Sequence, residues 1–222
     1  MGIFAVVIVI VCVFAVMMLL AAVLSAAERR KFAKFIDSAH QRGWRETLDR
    51  RIFGSPMDEV AQSTRMRCML EKRVGRSMVW MTWHQWQETT SSSTYRDGKW
   101  ESDSSTTRYD ETRYFIVLPG RMPDVAVVRR TRIGGLLRRV RGPGTGDAAF
   151  DRAFLLKSRD DGVPRGVLSS RLRKAMLARR LPPWESRNSI LFTVHRDQPT
   201  LATLDSRAAA IAEIAAHLSG AR

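Results

Sequence analysis

Hydrophobic positions in this chain fall first in one solid block and then in alternating runs. From Gly2 to Ala27 no residue carries a charge, and Glu28, Arg29, Arg30 and Lys31 follow at once. A bilayer core about 30 Å thick needs roughly 20 apolar helical residues at about 1.5 Å each. The 26 residues of the block are enough, which predicts a transmembrane anchor over 1–27. A cleaved signal peptide is the rival reading, with Ser25-Ala26-Ala27 as its cleavage site. Against it, no Lys or Arg precedes the block, which also exceeds the roughly 7–15 residues of a signal core. Val6 stands where N-myristoylation would require Ser or Thr.

Beyond the block the period becomes that of an amphipathic helix. Phe32, Phe35, Ile36 and Ala39 recur at helical spacing with Arg30, Lys34 and Asp37 between them. The membrane helix is therefore predicted to continue through a basic juxtamembrane segment, 28–43, and to stop at Gly43, which suits a left-handed helix end. One helix from Gly2 to about Arg42 would be about 60 Å long. Arg29, Arg30, Lys31 and Lys34 are the candidate contacts with the membrane surface, each worth on the order of 1 kcal/mol beside anionic headgroups. They should hold the rest of the chain just off the lipid.

From Met66 to Leu118 the pattern is that of strands rich in aromatic and β-branched residues: MRCMLEKRV, SMVWMTWHQWQETT and TTRYDETRYFIVL. Between the last two lies the polar run SSSTYRDGKWESDSS, around Asp97-Gly98, a dipeptide that suits a type I′ turn. With those two residues as the turn, opposed residues have numbers summing to 195. Trp86 then faces Tyr109, His84 faces Glu111, Thr82 faces Arg113 and Trp80 faces Phe115 on one side, with Met81 against Tyr114 and Val79 against Ile116 on the other. Both sides are apolar at the base and polar beyond Trp86, so the hairpin should leave the core and project into solvent. Residues 88–107 are then either a contact arm or a loop with no role. Trp86, Tyr95, Trp100 and Tyr109 are the candidate partner contacts.

DVAVVRR and AFLLKS read as two further short strands. VLSSRLRKAMLARRL reads as a helix ending at Pro182-Pro183, Trp184–His195 as a hairpin turning near Asn188, and TLATLDSRAAAIAEIAAHLSG as a helix with Leu204, Ala208, Ile211, Ala215 and Leu218 on one stripe, ended by Gly220. Strands in adjacent runs with helices toward the C-terminus indicate an α+β fold: an N-terminal transmembrane helix, a mostly antiparallel sheet and C-terminal helices. Without a Pro/Gly/Ser linker or an internal repeat, 44–222 reads as one soluble domain.

The run LPGRMPDV, the segment GGLLRRVRG with GDAAFDRAFLLKS, the L-S-S-R-L helix and the hairpin PPWESRNSILFTV resemble a group of uncharacterised bacterial single-pass membrane-anchored proteins with an α+β soluble domain. The resemblance covers about 120–222, and 44–118 in outline. It implies topology and fold and supplies no catalytic residues.

Charge refines the picture. The net charge is +15, and 31 of the basic residues are Arg, a bias that a GC-rich genome also produces. Near the apolar block all Lys and Arg lie on its C-terminal side, which places the N-terminus outside and the soluble domain in the cytosol at the cell membrane. Cys12 and Cys68 cannot build a disulfide framework. The four histidines, His40, His84, His195 and His217, lack metal-ligand spacing. GPGTGD has phosphate-loop glycines, but Asp147 stands where a Walker loop requires Lys. It reads as a plain loop, or as an anion nest helped by Arg138, Arg139 and Arg141. Asp147, Asp151, Asp160 and Asp161 suit turns and caps, and Ser169 and Ser170 suit a helix N-cap better than a nucleophile, since no Gly-x-Ser-x-Gly elbow surrounds them. Segment 79–90 carries Trp80, Trp83 and Trp86 without Arg or Lys, which disfavours nucleic-acid stacking. No catalytic set, cofactor or metal is indicated. The expected function is a membrane-anchored, cytosol-facing binding or assembly module with the bilayer and a protein as partners. The alternatives are a membrane-tethered enzyme, or a basic surface binding nucleic acid or anionic lipid.

Overall fold

The computed structural model describes residues 2–47, 66–96, 99–130, 144–158 and 167–220, with side chains from Phe14 onward except at residue 96. The chain divides into two compact units, Met1–Trp44 and Arg45–Arg222.

The first unit is the helix α1, Gly2–Gln41, continuous through the change from apolar to basic residues. It ends as expected. Gly43 takes φ 82°, its N–H donates to the His40 carbonyl at 2.9 Å, and the Trp44 N–H donates to the Ala39 carbonyl at 3.1 Å. This pair of bonds is a Schellman motif, which needs a left-handed residue where Gly43 stands. Among the described residues no helix is long and apolar enough to cross a membrane. Side chains of the apolar block are described only from Phe14 to Ala27, about 21 Å of helix against a core of about 30 Å. Within that stretch Phe14, Met17, Leu19 and Leu24 are all exposed.

The second unit is an α+β domain built on one eight-stranded antiparallel sheet. Its strands are β1 (Arg45–Glu46), β2 (Met66–Val74), β3 (Ser77–Arg96), β4 (Lys99–Val117), β5 (Val125–Arg129), β6 (Phe154–Ser158), β7 (Trp184–Arg187) and β8 (Ile190–His195). Among the described residues three helices accompany them: α2 (Ala148–Ala153), α3 (Ser170–Leu177) and α4 (Leu201–Ser219). The strand order is β1-β2-β3-β4-β8-β7-β5-β6. A local meander, β2 to β4, is thus extended by strands from the far end of the sequence.

The central hairpin has the expected register. Every pair from Trp80 with Phe115 to Arg96 with Lys99 sums to 195, and the two residues between Arg96 and Lys99 lie outside the described set. The strands are longer than their apolar pattern indicated, because cross-strand pairing carries the ladder through the polar run. Asn188 (φ 49°) and Ser189 (φ 62°) turn the β7–β8 hairpin, two consecutive positive φ values that mark a type I′ turn.

Cross-strand partners share a face, so the register sorts the core. Cys68, Leu70, Val79, Met81, Trp83, Tyr114, Ile116 and Leu191 are buried on one face. Over this face lies α4, in contact with β2, β3, β4 and β8. The expected stripe of Leu204, Ala208, Ile211, Ala215 and Leu218 is buried, together with Ile214, and Lys72 of β2 donates to Asp205 of α4 at 2.8 Å. On the opposite face Met69, Phe115 and Ile190 form a cluster flanked by Met66, Trp80 and Phe192, with Trp80 stacked on Phe115 at 6.0 Å between ring centroids.

Two local expectations are corrected. The helix after Ser169 ends at Leu177, well before Pro182: Arg179 takes φ 57°, with Arg179 N–H to Met176 O at 2.9 Å and Arg180 N–H to Ala175 O at 3.1 Å. A Schellman motif closes it without glycine. Ala153 belongs to α2 and not to the strand behind it, because Asp147 starts a helix there by accepting from the Ala149 and Phe150 N–H groups. Ser169 is the N-cap of α3, accepting from Leu172 N at 3.2 Å.

Candidate functional site

The sheet's most exposed feature is the outer half of the central hairpin. The described pairing of β2 with β3 reaches Met66 with His84, and that of β8 with β4 reaches His195 with Thr112. From Gln85 and Glu111 outward, β3 and β4 pair with each other alone among the described strands. The free ribbon is about 35 Å long at about 3.3 Å per residue. Every described side chain from Gln87 to Tyr95 and from Lys99 to Tyr109 is exposed.

A two-stranded hairpin is marginal in water, so its fastening matters. At its base the Asp110 carboxylate accepts from Trp83 Nε1 at 2.9 Å and from Gln85 Nε2 at 2.8 Å. Next, Trp86 stacks on Tyr109 at 5.5 Å with an interplanar angle of 20°, and its Nε1 donates to Glu88 at 2.9 Å. Midway, the hydroxyls of Thr89 and Thr106 lie 3.0 Å apart. Near the tip, Tyr95 meets Trp100 at 5.3 Å and 59°. The four candidate contact residues thus come together as two cross-strand aromatic pairs. Strand alternation puts them on opposite faces. Tyr95 is 60% exposed and Trp100 73%, so the tip pair presents its rings to solvent.

The other candidate set, Arg29, Arg30, Lys31 and Lys34, occupies consecutive turns of α1, and all four are exposed. Arg29 donates back to Ser25, to its Oγ at 3.0 Å. The four charges therefore form one basic collar just after the apolar block.

Two polar groups inside the domain escaped the sequence reading. Beneath α4, Thr112, Tyr114, Thr193 and His195 occupy adjoining positions on β4 and β8, with the Tyr114 and His195 rings edge to face at 5.8 Å. Among the described residues Thr193 Oγ1 and His195 Nε2 are buried without a hydrogen-bond partner, and the Arg207 guanidinium lies beside the Tyr114 hydroxyl. Asp197 and Arg207 close the rim through a bidentate pair at 2.7 and 2.6 Å. Hydrogen bonding from Arg207 holds the Asp197 carboxyl below its ordinary range, and burial pushes the Tyr114 phenol upward. On the opposite face His84 is buried beside Thr82, Glu111 and Arg113, with His84 Nε2 and Thr82 Oγ1 unpartnered among the described residues. Burial, aided by Arg113, pushes His84 down to about 4. Burial and then Arg207 do the same to His195, also to about 4. Both imidazoles are neutral near pH 7. The only sequence signal for these groups was a polar residue at a core-facing alternate position.

None of the polar sets assembles a nucleophile with a base. Burial pushes the Cys68 thiol up to about 12, which leaves it a packing group. Thr145, in the described end of the GPGTGD loop, directs its N–H to the Asp151 carboxylate at 3.0 Å, so this donor serves a turn and not an anion. Asp160 and Asp161, and Arg138, Arg139 and Arg141, lie outside the described residues. Among the described residues no group of three or more His, Cys, Asp or Glu side chains is placed to hold a metal. The chain matches no protein-family profile, no curated protein and no solved structure.

Proposed function

We propose that the protein is a membrane-anchored binding or assembly module. In this reading the whole block from Gly2 to Ala27 spans the bilayer, the collar of Arg29, Arg30, Lys31 and Lys34 lies at the headgroups, and the sheet domain faces the cytosol and engages a protein partner through the ribbon. The observation that carries it is the ribbon itself. A 20-residue strand paired to a 19-residue strand extends far beyond what the core uses, and its tip exposes an aromatic pair. Exposed aromatic side chains of this kind are the anchors around which protein interfaces form. The resemblance to single-pass anchored proteins supports the anchor, and the one-sided distribution of Lys and Arg supports the orientation.

Deleting 91–105 and replacing it with a short turn tests the arm. The shortened chain should unfold in urea as cooperatively as the full chain, since every described side chain removed lies outside the core, and should lose partner capture in a pull-down from membranes. Unchanged capture would refute the arm. The orientation has its own test: protease added outside spheroplasts should leave residues beyond 45 intact, and rapid digestion there would reverse it.

A further inference from the structure

The two edges of the ribbon differ in a way that bears on what binds there. The β4 edge from Lys99 to Tyr109 carries Lys99, Glu101, Asp103 and Arg108, charges of the kind that keep a free edge from pairing. Along β3, Thr89–Thr94 is a run of Ser and Thr with neither charge, Pro nor Gly. It is exposed along its length and unprotected by those devices.

We propose that this β3 edge pairs antiparallel with the same edge of a second copy, centred on Ser92, so that two ribbons make a four-stranded sheet. The proposal rests on the contact-arm reading and names the partner. A two-fold axis between identical strands requires that residues sharing a face oppose one another, so opposed numbers must have an even sum. Centred on Ser92, the ladder sets Ser91 against Ser93 of the second copy, Thr90 against Thr94, Thr89 against Tyr95 and Glu88 against Arg96. The only two charged residues from Gln87 to Arg96 therefore meet, and the symmetry makes them meet twice. Centring on Ser91 puts Glu88 against Thr94, and centring on Ser93 puts it against Gly98; neither offers a charge partner. The backbone phase also fits. A two-residue turn closes on a hydrogen-bonded pair, here Arg96 with Lys99, so the odd-numbered β3 residues direct N–H and C=O outward. In the proposed ladder odd residues meet odd residues. The Thr90 and Thr94 hydroxyls would repeat across the new interface the bond that Thr89 and Thr106 make within the ribbon.

The test uses the full chain in detergent micelles with Cys12→Ala as background. Ser92 faces itself across the axis in a non-hydrogen-bonded pair, with Cα atoms about 4.5 Å apart, within disulfide reach. Ser92→Cys should give a covalent dimer on mild oxidation, and Ser102→Cys on the other edge should not. Glu88→Arg sets Arg against Arg at both ends and should weaken the dimer about tenfold. Arg96→Glu should do the same, and the double swap should restore it. Equal crosslinking at both sites, single swaps without effect, or a monomer by light scattering would overturn the second copy as partner. If the monomeric chain still captures another protein through the arm, the second copy alone is overturned. If capture survives deletion of 91–105, the arm reading has failed as well.

Discussion

Replacing Phe115 by alanine should cost the domain about 3–5 kcal/mol of unfolding free energy, whereas the same truncation at Trp100 should cost no more than about 1 kcal/mol. Both residues sit on β4 in cross-strand aromatic pairs, and both are large. Phe115 is 1% exposed, stacks on Trp80 and packs in the cluster with Met69 and Ile190. Its removal would leave a cavity that a ring of this size cannot fill by relaxation. Among the described residues Trp100 meets the ring of Tyr95 and is otherwise exposed, so truncation forfeits one pairwise contact. Urea unfolding of the two variants measures the contrast. Comparable losses would mean that the ribbon is part of the core.

Acidification should destabilise the domain in two separate windows. His84 and His195 have folded values near 4 against an ordinary 6.5. Their unfolded forms bind a proton that the folded forms refuse. A depressed folded value contributes stability that is fully present above pH 6.5 and is lost as the pH falls from there toward 4. At about 1.4 kcal/mol per unit, discounted for solvent screening of groups that are not fully buried, each imidazole accounts for a loss on the order of 1–2 kcal/mol by pH 4. His84 faces Arg113 and Glu111, and His195 faces Arg207 and Asp197, so on each side a nearby cation adds to the penalty of burial. Asp147 and Asp197 are held below their ordinary 3.8, Asp147 chiefly by the Phe150 N–H and Asp197 by the Arg207 guanidinium. Their contribution is present above 3.8 and lost only below it. Urea midpoints measured between pH 7 and 4 should therefore fall, and the double variant His84→Gln with His195→Gln should flatten that slope while leaving the drop below pH 4. An unchanged slope in the double variant would show that the imidazoles are not the cause.

Elements whose information is local were readable in advance. The alternating residues on either side of Asp97-Gly98 carry the register of the long hairpin, since each step along one strand fixes a step on the other. The stripe on α4 from Leu204 to Leu218 and the left-handed stop at Gly43 are equally local. Three features were not readable residue by residue. Both β3 and β4 continue through Ser and Thr because each supplies the other's ladder, which propensity residue by residue does not register. Arg179 closes α3 in a conformation that favours glycine, held by the Ala175 and Met176 carbonyls. The polar row of Thr112, Tyr114, Thr193 and His195 exists only because β8 lies beside β4, and nothing near either strand specifies that neighbour. Of the candidate site, the four aromatic residues and their outward projection were legible. The edge asymmetry of the ribbon emerged only once the ends of β2 and β8 were known.

That distance between β4 and β8 orders the folding of the domain. The meander from β2 to β4 closes through short turns, one of them between Val74 and Ser77, at little entropic cost. Bringing Ile190 to Val117 closes a loop of some seventy residues, costing about 4 kcal/mol of chain entropy. Contacts of such long range are late and slow to form. During synthesis the inner edge of β4 therefore emerges complete, with Tyr114 and Ile116 uncovered, and waits for β8 and then α4 to be made. In that interval the nascent chain carries an open strand edge beside bare apolar surface, the combination that makes a partly folded chain prone to aggregate.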